Sequence, residues 1–274
     1  RELGPIENNS VGVEEPKKEV RTIFIEADED HVAMQDGTNK QVRLIYVHEG
    51  KKLKSKGRYQ LKNPRYFTGQ YRNSEDLWIE VADYLEEAYN LEKVDNIYLS
   101  GDGAKWIKEG LNWIDNSKYV LDYFHLSKYV KKATAHLSYT TPILWNYINK
   151  RDDKSVKDLF DIIINETESE TKRKAVKESK RYIFNNWEGI MNRYEDDYVG
   201  CSAEGHVSHI LSDRLSSRPL GWSEIGADQM ARLRVDSFNG GNIYKIMKEK
   251  KEENAKKERI LELDERVIKR RLKI

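Results

Sequence analysis

Three acidic residues, far apart in the chain, are the strongest candidates for chemistry in this sequence. The first, Asp28, lies in the stretch Ile25-Glu-Ala-Asp-Glu-Asp-His31, in which four acids fall within five positions. Carboxylates crowded in this way repel one another unless a hard cation neutralises them, and Mg²⁺ is commonly held by one or two protein carboxylates together with phosphate oxygens. The stretch therefore indicates a metal site, with a solvated acidic loop as the alternative.

The second candidate, Asp102, lies in Ser100-Gly-Asp-Gly-Ala-Lys105, where a predicted strand passes into a predicted helix. An Asp between permissive glycines is also typical of a turn or a helix cap. If the first and fourth predicted strands are neighbours, as a right-handed crossover after a three-stranded meander permits, Asp28 and Asp102 project from one region of the sheet.

The third candidate, Glu204, begins the helical stretch Ser202-Ala-Glu-Gly-His-Val-Ser-His209. A carboxylate near a helix N-terminus is also stabilised by the helix dipole, which is the alternative explanation. Cys201, His206 and His209 suggest a competing zinc site. These three residues have no convincing fourth ligand, and the three-residue spacing of the histidines differs from that in HExxH.

The candidate acids require a scaffold, and the hydrophobic pattern predicts one. Apolar residues at helical spacing behind Ser74 predict a helix, and a second helix carries Trp106 and Leu111. Strands joined through helices are parallel, so we expect a mixed sheet of three meandering strands and two added through helices, with functional groups at the C-terminal strand ends. The predicted strands are 22–28, 42–48, 65–72, 96–100 and 119–124.

The chain is predicted to divide into five segments. Its polar beginning, which starts at Arg1 and contains Gly and Pro, is typical of an interdomain linker, so we expect the native protein to have a further N-terminal portion. The segments are a linker at 1–20, the first part of an α/β core at 21–136, an all-helical insertion at 137–195, the second part of the core at 196–236, and a charged C-terminal helix or tail at 237–274.

Composition limits the class of protein. The 274 residues include six Trp and sixteen Tyr, enough aromatic residues for a folded core despite 35% charged residues. The single cysteine, Cys201, excludes a disulfide framework and fits a reducing cytosol. No apolar run approaches the roughly 18 to 20 residues that span a bilayer. A net charge of +1 leaves nucleic-acid binding to local patches. We therefore expect a cytoplasmic protein.

Several motifs, taken in their order along the chain, closely resemble the ISLre-type insertion-sequence transposases, which are DDE transposases of the Mutator-like superfamily. The resemblance covers roughly residues 20 to 236. The ordered set is specific, although each piece alone is weak. The motifs are Ile25–Gln35, Ser100–Trp106, Asp122–His125, Gly200–His209 and Ser217–Trp222.

The resemblance implies an α/β fold with a ribonuclease H-like mixed sheet of five strands, flanking helices and an all-helical insertion before the third acid. It also implies that Asp28, Asp102 and Glu204 are catalytic and hold two divalent metal ions, Mg²⁺ or Mn²⁺, for cutting and rejoining DNA. Asp30 remains an alternative for the first acid because a strand end cannot be fixed to better than a few residues from sequence.

A His residue shortly after the fifth predicted strand is a further candidate. Asp122 with His125 resembles a pair that follows the fifth strand in Mutator-like relatives. The resemblance implies a catalytic role for His125 near the scissile DNA, and an ordinary packing histidine at a helix start is the alternative.

Double-stranded DNA, as transposon ends and target, is the partner that the resemblance implies, bound by a homodimer or higher assembly near the bacterial nucleoid. Two basic runs in the insertion, 172–174 and 177–181, add positive charge, with a solvated face as the alternative. Cationic side chains are the natural phosphate contacts. The candidate DNA-binding residues are Arg214, Arg218, Arg232, Arg234, Lys51, Lys52 and Lys54.

Three other functions stay open at this point. A ribonuclease H-like nuclease would share the metal ions but would not transfer strands. A glycosidase with two carboxylates would need no metal. A catalytically inactive DNA-binding remnant would need neither metal ions nor catalytic carboxylates.

Overall fold

The computed structural model describes residues 16–69, 73–218 and 220–271. Most of the predicted linker at 1–20, the end of the predicted strand at 65–72, and Pro219 lie outside the described residues. The last residues of the predicted linker are docked, since Lys18 forms backbone hydrogen bonds with Ala88 and Asn90.

A five-stranded mixed sheet forms the centre of the structure, as the sequence predicts. Its strands are β1 (Thr22–Ala33), β2 (Asn39–His48), β5 (Arg65–Gly69), β6 (Asn96–Gly101) and β7 (Ser117–Leu121). Their order across the sheet is β5-β2-β1-β6-β7. Strands β1, β2 and β5 form an antiparallel meander, whereas β6 and β7 run parallel to β1.

The strands differ from the prediction at the ends of β1 and β7 and in one hairpin that was not predicted. β1 runs to Ala33 instead of ending at Asp28, because β2 pairs with it as far as Asn39. β7 ends at Leu121, because the side chain of Asp122 caps the following helix. The segment between β2 and β5 contains a separate hairpin, β3 (Lys51–Ser55) and β4 (Arg58–Leu61), that the sequence analysis missed.

Alternation along β1 directs its side chains to two different cores. The odd-numbered Ile23, Ile25 and Ala27 enter what we call the rear core, which also contains residues of helices before β6 and after β7. The even-numbered Val32 packs in the front core, beneath helices that follow residue 202. Glu26, Asp28 and Asp30 share the front face by the same alternation.

Helices cover both faces of the sheet. The rear core continues without a break from the sheet into the helices between residues 123 and 191, so this helical region is packed as part of the core. The α-helices are α1 (Glu75–Ala88), α2 (Lys105–Lys108), α3 (Tyr123–Thr134), α4 (Thr140–Asn149), α5 (Asp153–Glu166), α6 (Glu170–Asn185), α7 (Trp187–Met191), α8 (Ala203–Val207), α9 (Asp213–Leu215), α10 (Glu224–Phe238) and α11 (Ile243–Arg271).

Short turns of other helix types complete the fold. A π-helical turn at Ser208–Ser212 joins α8 to α9. Turns of 3₁₀ helix lie at Leu91–Lys93, Glu109–Asn112 and Asn192–Tyr194. Among the helices that the structure describes, none is both long and apolar enough to span a membrane.

Gly101 allows β6 to end very close to β1. A Cβ at this position would lie 2.8 Å from the carbonyl oxygen of Ala27 and 2.7 Å from the Ile107 side chain. Both distances are shorter than ordinary van der Waals contact, so any larger residue would push the strand ends apart. Asp28 follows Ala27 on β1, and Asp102 follows Gly101 at the end of β6. The glycine thus sets the distance between the backbones that carry these two acids.

We expect Gly101→Ala to lower the free energy of unfolding by about 1–3 kcal/mol, as overpacking does in a dense core. Urea denaturation measures the change. Gly205→Ala is the matched control, because nothing lies within 4 Å of a Cβ built there and alanine favours a helix. Equal stability of the two variants would contradict the close approach.

Candidate acidic site

Asp28 lies on β1 just beyond the point where β6 stops pairing with it. The parallel ladder ends at Glu26 opposite Ser100, whereas β2 still pairs with Asp28 through Leu44. The half-buried carboxylate accepts a hydrogen bond from the backbone N–H of Glu29 at 2.9 Å. Asp28 is therefore held on a rigid strand, beside the end of its parallel neighbour.

Asp102 follows directly after β6, as predicted. Its Oδ1 accepts a hydrogen bond from the backbone N–H of Ala104 at 2.7 Å, which fixes the turn into α2. The hydroxyl of Tyr182, on α6, donates to the backbone carbonyl of Asp102. A hydrogen bond from the helical region thus holds the loop that carries the second acid.

Glu204 occupies the first turn of α8, as predicted, and its side chain is exposed. The residues just before it are anchored to the sheet. The backbone N–H of Ser202 donates to the carboxylate of Glu26, and the Ser202 hydroxyl lies 3.2 Å from the same oxygen. The start of α8 is therefore fixed, while the acidic side chain itself remains free to adjust.

Asp28 lies within electrostatic range of both other acids. Burial is the main cause that raises the pKa of Asp28 from 3.8 to about 7, and the charges of Glu204 and Asp102 raise it further. The backbone N–H of Glu29 and the nearby His125 act in the opposite direction. The fold therefore brings the charges of Asp102 and Glu204 close enough to Asp28 to influence its ionisation.

This site fits a cation by its chemistry. Oxygen ligands are those that Mg²⁺ and Mn²⁺ prefer, and a divalent cation would stabilise the ionised form of Asp28, which burial and the charges of Glu204 and Asp102 disfavour. Within the parts of the chain that the structure describes, no three Asp, Glu, His or Cys side chains already form a set of metal ligands. Ligation by all three acids would therefore require side-chain movement, for which exposed Glu204 is best placed.

His125, at the start of α3, lies within range of the charges of Asp28 and Asp102. Its Nδ1 lies 2.8 Å from Asp122 Oδ2, and its backbone N–H donates to Asp122 Oδ1. Burial lowers the pKa of His125, but the Asp122 hydrogen bond and the charges of Asp122, Asp102 and Asp28 together hold it above its ordinary value. The imidazole is therefore oriented by one acid and biased toward its protonated form.

The structure distinguishes Asp28 from Asp30, the alternative for the first acid. Asp30 is buried, and its Oδ1 accepts a hydrogen bond from the Ser216 hydroxyl at 2.8 Å. The other oxygen, Oδ2, has no hydrogen-bond partner among the described residues. Asp28, by contrast, is the acid coupled to Glu204 and Asp102. These contacts favour Asp28 as the first acid of the site.

A buried network under the site was missed by the sequence analysis. Glu26 is 1% exposed, and its carboxylate contacts Nε2 of His48 at 2.9 Å, the Tyr46 hydroxyl and Ser202. Burial raises the pKa of Glu26, but the hydrogen bond and charge of His48, together with Lys51 and Tyr46, lower it to about 2. The carboxylate is therefore ionised in the interior.

One signal in the sequence could have identified this network. Glu26 is two residues before Asp28 and therefore shares its face, and Tyr46 and His48 alternate in the same way on β2. Polar residues at alternate positions of otherwise apolar strands indicate a buried polar face. What the pattern could not reveal is that Ser202, 176 residues away, completes it.

The competing zinc site is not assembled. The ring of His206 lies 4.5 Å from that of Tyr46, and burial, the largest influence, lowers the pKa of this histidine. His209 is exposed near Asp213. Burial raises the pKa of the Cys201 thiol, which disfavours the thiolate that zinc requires. These side chains therefore do not act as a common ligand set.

The candidate DNA-binding residues fall into two groups. Lys51 donates to the backbone carbonyls of Val199 and Gly200, so it holds the loop before α8. Arg232 pairs with Asp228, and Arg234 donates to the carbonyls of His209 and Ile210. These three cations have contacts within the chain. The exposed candidates are Lys52, Lys54, Arg214 and Arg218.

Comparison with known proteins gives a family but no activity. Residues 4–252 match the family described as "Uncharacterised protein family (UPF0236)". The chain is similar to a UPF0236 protein of Caldanaerobacter subterraneus subsp. tengcongensis whose name joins eleven loci, with 51% identity over 247 residues. A second UPF0236 protein of that organism is 50% identical over the same length.

A more distant relative is the UPF0236 protein in the vanSb 3′ region of Streptococcus gallolyticus, at 26% identity over 238 residues. The Caldanaerobacter alignments cover 90% of this chain but 52% and 53% of those proteins. The Streptococcus alignment covers 82% of this chain and 52% of that protein. The chain thus spans about half the length of the curated relatives it matches.

We expect Glu26→Gln to lower the free energy of unfolding at pH 7 by about 3 kcal/mol, because it replaces a buried ionised carboxylate that contacts His48, Tyr46 and Ser202. The folded pKa of Glu26, about 2, is below its ordinary 4.5, so its contribution is present above about pH 4.5 and is lost as the pH falls toward 2. Urea denaturation between pH 2 and 7 should show a flatter pH profile for the variant. The exposed Glu87→Gln is the control, and a similar loss in both would contradict the network.

We expect Asp28→Asn to be more stable than the wild type at pH 8, by about 1–3 kcal/mol after allowance for solvent screening. Because the folded pKa, about 7, exceeds the ordinary 3.8, the wild type loses stability as the pH rises through that interval. Near pH 4 the two proteins should be nearly equal. Thermal unfolding in metal-free buffer measures this, with exposed Asp83→Asn as control. A destabilised variant at pH 8 would show that burial and the neighbouring charges do not disfavour the ionised Asp28 carboxylate.

Proposed function

This chain belongs to the UPF0236 family, and we propose that it is the catalytic core of a DDE-type DNA transposase, which cuts and rejoins DNA with divalent metal ions. The observation that carries the proposal is that Asp28 lies within electrostatic range of both Asp102 and Glu204. These acids come from β1, from the end of β6 and from α8, and two of them raise the pKa of the third.

The arrangement of strands supports the same proposal. An antiparallel meander followed by two parallel strands, in the order β5-β2-β1-β6-β7, agrees with the ribonuclease H-like architecture that the sequence resemblance implies. Helices α4 to α7 precede the third acid, as the all-helical insertion does in that expectation. The ribonuclease H-like assignment is part of this proposal.

The proposed reaction has two steps at one site. In the first, the oxygen of a water molecule attacks the phosphorus of a transposon-end phosphodiester, and the bond from phosphorus to the 3′ oxygen breaks. The 3′ oxygen receives a proton and becomes a hydroxyl. In the second, that 3′ hydroxyl loses its proton and its oxygen attacks a phosphorus of the target DNA. The bond from that phosphorus to the 3′ oxygen of the target strand breaks, and this oxygen takes up a proton and becomes a hydroxyl. Only the nucleophile changes between steps.

The chain contributes positioning and charge to both steps. Asp28, Asp102 and Glu204 would hold two divalent ions, which when bound offset the charge of the phosphate and assist the entering and leaving oxygens. Asp122 keeps the His125 ring oriented and favours its protonated form. His125 is therefore suited to donate a proton to the departing 3′ oxygen or to contact a phosphate oxygen.

Exposed cations offer a route for the DNA backbone. Arg214 and Arg218 follow the helix of Glu204, and Lys52 and Lys54 project from the β3–β4 hairpin. The hairpin lies near Glu204 in the fold, because Lys51 at its start is bonded to Gly200. We infer that these four cations contact phosphates on the front side of the sheet, where charge-assisted hydrogen bonds hold DNA without reading its sequence.

The name of a similar protein adds a genomic argument. A protein name that joins eleven loci of one organism describes a gene present in many copies. Multiplication within one genome is the expected result of an activity that moves its own gene. Sequence-specific end recognition and assembly into a dimer or higher oligomer are part of the proposal for the full-length relatives, about half of whose length this chain spans.

We expect Asp102→Asn to reduce Mn²⁺-dependent nicking of plasmid DNA at least about 100-fold, since removal of one metal-binding carboxylate removes the site's charge balance. The control is Asp115→Asn, which changes an exposed acid outside the site. Cleavage that persists in EDTA, or that the Asp102→Asn variant retains, would contradict the metal-dependent mechanism. Joining of pre-cut ends to target DNA separates a transposase from a nuclease that lacks strand transfer.

A further inference from the structure

A polar cavity lies beside the loop of the second acid and is not used by the proposed reaction. Its volume is about 540 Å³, within the roughly 300–1,000 Å³ of small-ligand pockets. Gly103, which directly follows Asp102, forms part of its wall, and Tyr182 both lines the cavity and donates to the Asp102 carbonyl. A ligand in this cavity would therefore touch the same loop as the site.

The charge of the cavity favours an anion. Lys108 and Arg181 line it. Its one acidic lining residue, Glu178, is 2.9 Å from the ammonium of Lys132 and so is largely neutralised. Burial lowers the pKa of Lys108 and the Asp102 carboxylate opposes that shift, so this ammonium shares the electrostatic environment of the acidic site. A phosphate group meets these requirements.

The remaining wall suits a nucleobase. The rings of Tyr129 and Tyr182 both line the cavity and stack on each other at a centroid distance of 3.6 Å, which makes a rigid aromatic surface. Asn185 and Asn186 add amide groups, which carry both donors and acceptors. Phosphate-binding cations, aromatic rings and amides together are the groups that bind unstacked nucleotides.

One buried atom independently points to a missing partner. Asn186 is 5% exposed, and its Nδ2 donates to the Tyr182 carbonyl at 2.8 Å. Its Oδ1 is buried and has no hydrogen-bond partner among the described residues, which is costly for a polar atom. This oxygen lies against Gly103, where a Cβ would come within 2.7 Å of it. A small shift on ligand binding would let it accept a hydrogen bond from a base.

We propose that this cavity binds one unpaired nucleotide of the DNA strand held at the Asp102 site. The inference rests on the proposed function, because that function is what brings DNA to the neighbouring loop. A base inside a duplex is stacked on both sides and cannot enter a concave pocket, so the nucleotide must leave the stack first. Its base would meet the tyrosines and amides, and its phosphate would meet Lys108 and Arg181.

The test compares two fluorescein-labelled short duplexes of the same sequence, one fully paired and one with a single unpaired thymidine. Fluorescence anisotropy in EDTA reads binding without cleavage. We expect the wild type to bind the bulged duplex at least about fivefold more tightly, the lower end for stacking of one base on an aromatic side chain. Tyr129→Leu, which keeps an apolar side chain but removes the ring, and Arg181→Gln should each abolish most of this preference.

Matched controls are Tyr139→Leu and Lys157→Gln, which change an exposed tyrosine and an exposed cation that do not line the cavity. Both should keep the wild-type preference. Arg181 is exposed, so its variant keeps the test valid even if Tyr129→Leu fails to fold. No preference in the wild type, or a preference unchanged by Arg181→Gln, overturns the proposal.

The two proposals can fail separately. A chain that prefers the bulged duplex but does not cleave DNA in Mn²⁺ retains the nucleotide pocket and loses the transposase assignment. A chain that cleaves DNA in Mn²⁺ without that preference retains the transposase assignment and loses the pocket.

Discussion

The buried carboxylate of Glu26 is the constraint on which the geometry of the acidic site depends. An ionised carboxylate in the interior is stable only when hydrogen bonds replace the water it has lost. Here the replacement comes from His48 on the adjacent strand and from Ser202 at the start of α8. Glu26 is two residues before Asp28, and Ser202 is two residues before Glu204. One buried contact therefore sets the relation between the first and third acids.

The second acid is positioned by different means. A close backbone approach at Gly101 and a hydrogen bond from Tyr182 hold the loop of Asp102 against β1 and the helical region. The site thus combines two rigid acids with an exposed one, Glu204, on a fixed helix. Under the proposed function, the exposed side chain of Glu204 would move to complete a cation site together with phosphate oxygens.

The surroundings of the site divide into two sides with different chemistry. The front side carries exposed cations on the β3–β4 hairpin and after α8, which suit a sequence-independent grip on the DNA backbone. The other side carries the cavity beside Gly103, with rings and amides suited to a single base. Phosphate contacts would set the path of DNA, and the cavity would act on one nucleotide next to the reacting bond. The two roles are physically separable.

Local patterns in the sequence determined much of this protein. Alternation predicted the five central strands and helical spacing predicted the flanking helices, because these features depend on residues near in sequence. The choice of Asp28, Asp102 and Glu204 as one catalytic set rests on the resemblance of ordered motifs and stays a prediction. Only the tertiary structure decided that β1 continues past Asp28 and that Asp30 accepts a hydrogen bond from Ser216. It also decided that Lys51 and Arg234 donate to backbone carbonyls and that Glu26 accepts a hydrogen bond from Ser202. Each of these depends on partners brought together from distant positions, and burial, which sets their pKa values and hydrogen bonds, is a property of the assembled fold.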